Sequence, residues 1–321
     1  MSRRDQTTSD AAAWALIAAL VAGVVAMELR APLWVDPWSA QALALACAGL
    51  STAAVFYGRI RVRPNFSVVC TALMQMLIFT AIGSIFSYLI TREGGALWDS
   101  TFERWDRLLG LEWLAYVRAV DARPWLVAPL RLAYASLIPQ IVVLVLALGF
   151  TMRVTQLRQL IFAAMLTGTV TILLSAAFPA VSNYVHLGLT ADDFRNVNPW
   201  AGYVHLADFN ALRDGTMSVL QLPRMQGIVT FPSYHAGLAA VMLWGFWVSG
   251  MKWLRWSGSV VAIGTIVATP VDGGHYFVDV IAGVAIAVLC IALSARMIRW
   301  RPASSPLTAL PFRRSRAAFA R

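Results

Sequence analysis

Charge is scarce in this chain. Of its 321 residues, 13% are Asp, Glu, Lys or Arg, against about 25% in a soluble domain. With 59% hydrophobic residues and a mean hydropathy of +0.66, that shortage excludes a water-soluble globular protein. Lysine is almost missing, Lys252 being the only one. Cysteine is scarce as well: Cys47, Cys70 and Cys290 all fall in apolar runs. They have neither metal-ligand spacing nor a pairing pattern, so they read as small buried hydrophobes. The sequence also lacks internal repeats, low-complexity tracts and any stretch long and polar enough to be a soluble domain.

What is present is apolar sequence in lengths that span a bilayer, which takes about 20 residues. Eight such runs cover roughly 11–29, 38–57, 67–91, 125–151, 159–180, 232–250, 256–271 and 276–297, the seventh being the shortest. They predict an all-α integral membrane protein with about eight transmembrane helices. The first run follows Arg3 and Arg4 and has some signal-peptide character. No tidy small-residue cleavage site follows it, and Glu28-Leu-Arg30 reads as an interfacial flank, so a retained helix is expected.

The few charges set an orientation. With the N-terminus inside and eight helices following, the inner segments are 1–10, 58–66, 152–158, 251–255 and the tail from 296. They hold Arg3, Arg4, Arg59, Arg61, Arg63, Arg153, Arg158, Lys252, Arg255, Arg296, Arg299, Arg301, Arg313, Arg314, Arg316 and Arg321, against only Asp5 and Asp10. The rest of the chain carries ten basic and fourteen acidic residues, so the asymmetry follows the positive-inside rule. Both termini are expected in the cytoplasm of a cell whose plasma (inner) membrane holds the protein. Basic loops at the inner headgroup layer account for the net charge of +10. No stacking aromatics are interleaved with them, so no nucleic-acid partner is expected.

Two long segments interrupt the helices, both on the outer side. In residues 92–124, Trp98, Phe102, Trp105, Leu108, Leu109, Leu111, Trp113 and Leu114 alternate with charges at helical spacing. That pattern predicts a helix lying in the membrane interface, as an anchor or as a rim that admits lipid headgroups. Segment 181–231 is polar and rich in Asn, Asp, Arg and Gly, and it is too long for a turn.

The second segment leads into Phe231-Pro-Ser-Tyr-His235. Forty residues on stands Gly273-Gly-His-Tyr-Phe-Val-Asp279. Pro232 and Ser233 suit a helix start, which puts His235 in the first turn of the sixth spanning helix. A descent, a basic turn at Lys252–Trp256 and an ascent at 1.5 Å per residue return the chain to the same face at His275. If residues 275–279 are helical, His275 and Asp279 share a side. A carboxylate there would fix the imidazole tautomer and leave the other nitrogen basic. A second, protonated histidine opposite could give a proton to a leaving oxygen. Free N–H groups at the starts of helices six and eight would favour a phosphate between them. One such histidine alone would read as a cap or an interfacial side chain; the three residues at one depth read as a site. His186 and His205 lack this company and read as loop residues.

At these residues a family becomes visible. Pro232-Ser233-Tyr-His235 followed by His275-x-x-x-Asp279 resembles the second and third signature motifs of the type 2 phosphatidic acid phosphatase (PAP2) superfamily. The fuller forms Phe-Pro-Ser-Tyr-His-Ala-Gly and His-Tyr-Phe-Val-Asp look most like its branch containing the inositol phosphorylceramide synthases. Asp106-Arg-Leu-Leu-Gly110 and Tyr134-Ala-Ser-Leu-Ile-Pro-Gln140 also look like stretches of that branch. The resemblance implies that His275 takes up the phosphoryl group as a phosphohistidine and that Asp279 orients it. It implies further that His235 protonates the leaving alcohol and activates the acceptor, and that Ser233 contacts the phosphate. No metal or other cofactor is implied. Residues 67–297 would then be the catalytic membrane domain with a six-helix core. Residues 1–66 would be two N-terminal transmembrane helices, and 298–321 a basic cytoplasmic tail.

Two departures stand out. The phosphatase form carries an arginine six residues before the nucleophilic histidine, where this chain has Thr269, and no Lys-Arg-Pro first motif appears. A transferring phosphoryl group still needs cationic partners. Arg213, Arg224 and Arg131 are the outer-side candidates, the first two ranked ahead because Arg131 lies about two turns into a spanning helix. The expected function is a lipid phosphate phosphatase or phosphotransferase working at the external or periplasmic face. Its partners would be a lipid phosphate substrate and membrane lipids, and the sequence names no protein partner. The competing reading is a non-catalytic PAP2-like transporter, flippase or scaffold, which a broken triad or mid-membrane charges would favour. A haloperoxidase-like oxidation on bound vanadate is a third.

Overall fold

Backbone groups inside a bilayer must pair within their own segment, and a helix does this for a single apolar run. The computed structural model of the chain, which describes residues 3–298 with side chains from residue 10 onward, is accordingly helical. In chain order the helices are α1 (Arg3–Glu28), α2 (Gln41–Val55), α3 (Pro64–Arg92), α4 (Asp99–Leu108), α5 (Trp113–Asp121), α6 (Pro124–Ala135) and α7 (Leu137–Phe150). They continue with α8 (Val154–Ala177), α9 (Asn183–His186), α10 (Leu206–Arg213), α11 (Tyr234–Val248), α12 (Lys252–Asp272) and α13 (Phe277–Met297). Among the described residues the only strand pair is a two-residue parallel ladder, Trp34–Val35 against Val219–Leu220.

Six of these helices are long and apolar enough to cross a membrane: α1, α2 with its π-helical end at Phe56–Ile60, α3, α8, α12 and α13. The protein is a multi-pass membrane protein. All eight apolar runs of the sequence coincide with helices, with two corrections. The fourth run is broken into α6 and α7, bent by 54°. Pro139 has no N–H to give to Ala135, the last residue of α6, and its ring crowds that carbonyl. Hydroxyls take up the carbonyl of Ala133 at the break, from Ser136 Oγ at 2.7 Å and Thr265 Oγ1 at 2.8 Å. The short helix is the sixth run, α11 at 15 residues, while the seventh, α12, reaches 21. Its first turn is the basic stretch from Lys252, which a hydropathy reading leaves out.

The segments that carry the basic excess meet at one end of the bundle. Phe66 and Phe150 pack edge to face at 5.1 Å, joining the α2–α3 turn to the end of α7. Arg153 Nη1 donates to Val248 O at 3.1 Å, and Gln159 Nε2 to Ile298 O at 3.3 Å. Arg158, 8% exposed, pairs with Asp10 at 2.8 Å and ties α8 to α1. The side chains of Arg3, Arg4 and Asp5, and Arg299, Arg301, Arg313, Arg314, Arg316 and Arg321 of the tail, lie outside the described residues. The cysteines are free. Only Cys290 is buried; Cys47 and Cys70 are half-buried, against the expectation for all three.

The opposite end is built from the two long segments. Residues 92–124 form two helices rather than one, each with a face buried in the protein: Phe102 on α4, and Trp113, Val117 and Val120 on α5. The last carbonyls of α12 would be unpaired at a helix end. Those of Pro270 and Val271 accept from Trp113 Nε1 at 3.1 Å and Tyr184 Oη at 2.7 Å, and a turn earlier Tyr116 Oη donates to Val267 O at 2.8 Å. Segment 181–231 contributes α9, α10 and three single 3₁₀ turns, wrapping over the ends of α3 and α12.

The main core lies where α3, α7, α8 and α11 meet, around Leu144, Leu148, Leu157, Leu160, Val241 and Met242, all fully buried. Beside it α11 and α13 approach through glycine. A Cβ on Gly283 would stand 2.2 Å from Ser233 O, so only glycine lets the two helix starts come this close.

Candidate active site

Ser233 caps α11: its Oγ accepts from Ala236 N at 3.4 Å, and the side chain is fully buried. Pro232 precedes the cap instead of standing in the first turn. Ser233 N donates to Asp279 O at 3.0 Å, joining the start of α11 to the first turn of α13. This bond brings His235 and His275 to one level, with ring centroids 6.5 Å apart. The His235 ring lies on Tyr134 of α6 at 4.6 Å and 8° between planes, which fixes its orientation by stacking.

His275 is not helical. It sits just before α13, on a turn made by Gly273 and Gly274. Gly274 has φ +66°, and a Cβ on Gly273 would stand 2.8 Å from both His275 Cδ2 and Tyr134 Oη. Asp279 nevertheless reaches back. Its Oδ2 accepts from Tyr276 N at 3.0 Å and lies 3.3 Å from His275 Nδ1. Facing a carboxylate, Nδ1 carries the hydrogen and Nε2 keeps its lone pair. Burial pushes the His275 imidazole down to about 3, and the nearby His235 and His205 add to the effect, so the ring is neutral.

The two histidines border a cavity of about 240 Å³. Its far wall is α3, with Phe79, Gly83 and Ser84, and its roof is the loop through Gln226 and Thr230. No arginine or lysine is among the described residues that line it. Arg213 instead donates to Gly95 O at 2.5 Å and covers the Phe209 ring at 5.3 Å. Arg224 is exposed. Arg131 pairs with Asp272 at 3.9 Å, one helical turn from Tyr134 on α6 and three residues before His275. Thr269 supplies no substitute, since it is fully buried and its Oγ1 donates to Thr265 O at 2.8 Å. The structure thus brings Ser233, His235, His275 and Asp279 together at the starts of α11 and α13, but of these only the two histidines line the cavity; Ser233, Asp279 and the three arginines are not among its lining residues.

One expectation about the helix starts is corrected. The N–H groups of α13 are not free: Asp106 of α4 accepts from Phe277 N and Val278 N, both at 2.8 Å. On α11 the N–H groups of Tyr234 and His235 remain as first-turn donors. Sequence reading also overlooked Asp99, whose carboxylate accepts from Tyr276 Oη at 2.9 Å and Val181 N at 3.2 Å. It overlooked His205 too, which lines the cavity with its Nε2 3.2 Å from Val181 O. His186, the other histidine expected in a loop, instead ends α9 and pairs with Glu103 at 3.2 Å. The available signals were the stretches beginning at Asp106 and Tyr134, whose first residues hold α13 and His235.

Burial pushes the Asp106 carboxyl up to about 6, against the two N–H bonds that lower it. The folded state therefore holds this proton more tightly than the unfolded chain. The group favours folding most below the ordinary value of 3.8 and loses that contribution as pH rises through about 6. Asp106→Asn is expected to melt at a higher temperature than the wild type at pH 8 and at the same temperature at pH 4. Melting curves in detergent at the two values check this.

A family model described as PAP2 superfamily matches residues 100–293, well over half of the chain, from α4 into α13. No curated protein and no solved structure matches it.

Proposed function

The chain belongs to the PAP2 superfamily, a phosphatase- or phosphotransferase-type enzyme family, and on that footing we propose that it cleaves a lipid phosphate ester through a phosphohistidine on His275. The observation that carries the reading is the facing pair: two histidines across one cavity, with the buried Asp279 behind one of them. His275 Nε2 attacks phosphorus, and the bond to the leaving alcohol breaks as His235 gives that oxygen a proton. Water or an acceptor alcohol then loses its proton to His235 and attacks, and the P–N bond breaks. The N–H groups at the start of α11 are the seat for the phosphate. Of the three candidate cations Arg131 is favoured, since it shares α6 with Tyr134, which stacks on His235, and its partner Asp272 stands three residues before His275.

Residues 67–297 act as the catalytic domain, which the contribution of α3 to the cavity wall supports; residues 1–66 add two helices. The positive-inside distribution supports an external or periplasmic site with cytoplasmic termini. The motif form supports transfer to an alcohol, in the manner of the inositol phosphorylceramide synthase branch.

Purified protein incubated with labelled phosphatidic acid, polyprenyl diphosphate, or phosphatidylinositol plus ceramide tests the reading. Free phosphate means hydrolysis, a new phospholipid means transfer, and no product from any of the three overturns it. His235→Ala is expected to lose about 100-fold or more with these alkyl esters, the scale of general acid catalysis. With an aryl phosphate, whose leaving group needs no proton, the first half-reaction should be largely restored. Equal losses on both substrates would remove His235 from the acid role.

A further inference from the structure

α4 presents three residues at helical spacing, Asp99, Phe102 and Asp106, to the segments on both sides of the histidines. Phe102 is fully buried and stacks on Phe231, just before the Pro-Ser-Tyr-His stretch, at 4.4 Å and 20°. Asp99 holds the Tyr276 hydroxyl, and Asp106 holds the first two N–H groups of α13. Both carboxylates are at most 3% exposed. Burying a carboxylate is costly unless it is paired, and a neutral side chain could have capped the helix at less cost. Neither α4 carboxylate is among the cavity-lining residues.

We infer that Asp106 is a positioning residue: it is a built-in anion that closes the start of α13 to substrate phosphate and sets the register of His275 and Asp279. The inference rests on the functional reading above. A helix start attracts anions through its free N–H groups and dipole. Tyr234 and His235 of α11 line the cavity while Phe277 and Val278 of α13 do not, so a phosphate settled on the α13 start would lie outside it. With Asp106 already bonded there, α11 is the seat left open. The carboxylates of Asp99 and Asp279 stand in the same region, and the nearby Arg107 and His186 are each already paired with Glu103.

The test compares wild type, Asp106→Asn, Asp106→Glu, Asp99→Asn and His275→Ala in detergent. It uses the three labelled lipid mixtures as substrates and inorganic phosphate as the competing anion. Asparagine keeps one acceptor and removes the charge, so kcat should fall by between about 10- and 100-fold, the cost of a shift of about 1 Å at the reacting group, with KM little changed. Inhibition by inorganic phosphate should tighten by about 3- to 30-fold, the value of a helix-start anion site in a partly buried place. Asp106→Glu restores the charge and should return phosphate inhibition to the wild-type level while kcat stays low. Asp99→Asn should leave phosphate inhibition unchanged. Wild-type kcat and wild-type phosphate inhibition in Asp106→Asn, beside an inactive His275→Ala, would overturn the inference and spare the functional reading. Turnover by His275→Ala would overturn that reading instead. If Asp106→Asn fails to fold, Asp106→Glu decides alone: kcat equal to wild type overturns the inference.

Discussion

His275→Asn is expected to lower turnover by about 10⁴-fold or more, the scale on which removal of a covalent nucleophile is felt. The protein should stay folded in the membrane. The imidazole's partners are the Asp279 carboxylate and the backbone of Thr230 in the cavity roof, and it holds no helix together. The turn beneath it depends on Gly273, Gly274 and the bond from Asn183 N to Gly274 O at 2.8 Å, none of which the substitution touches. Asparagine is smaller and fits the same space. Radiolabelled lipid should leave acid-labile label on wild-type protein and none on the variant. Turnover within tenfold of wild type would remove the phosphohistidine from the mechanism.

Asp279→Asn should cost nearly as much, about 10³- to 10⁴-fold, by analogy with other buried carboxylates that orient a catalytic imidazole. Oδ2 of Asp279 serves His275 Nδ1 and Tyr276 N together, while Oδ1 is buried without a hydrogen-bond partner among the described residues. An amide must either put its NH₂ in that unpartnered place or turn it toward Nδ1. The first choice buries an unsatisfied donor, and the second reverses the imidazole tautomer and takes the lone pair from Nε2. Both also remove the negative charge that offsets the positive ring formed with the N–P bond. Circular dichroism with phosphoenzyme trapping separates this loss from unfolding. A variant with wild-type label and turnover would leave Asp279 a helix-start residue only.

The histidine and aspartate positions were legible because their signals are local: a cap before an apolar helix, and a carboxylate four residues after an imidazole. The depth of His235 and His275 followed from counting rise per residue through one descending and one ascending helix. The broken fourth helix was legible in principle from Pro139, but a run of apolar residues hides a bend, since hydropathy carries no direction. The cavity without arginine was not legible. Arg213, Arg224 and Arg131 were matched to the site by side of the membrane alone, and side chains on the same side can still face different neighbours.

By itself, then, the sequence determined the membrane-spanning helices, the gathering of basic turns at one end and the chemistry available at His235, His275 and Asp279. These follow from hydropathy, charge and spacings shorter than a helix turn, which act wherever the chain lies. Only the tertiary structure decided which helix start could receive an anion. Asp106 is 171 residues from the Phe277 N–H it accepts. No local preference joins two groups so far apart, and only the packing of α4 over the start of α13 does so.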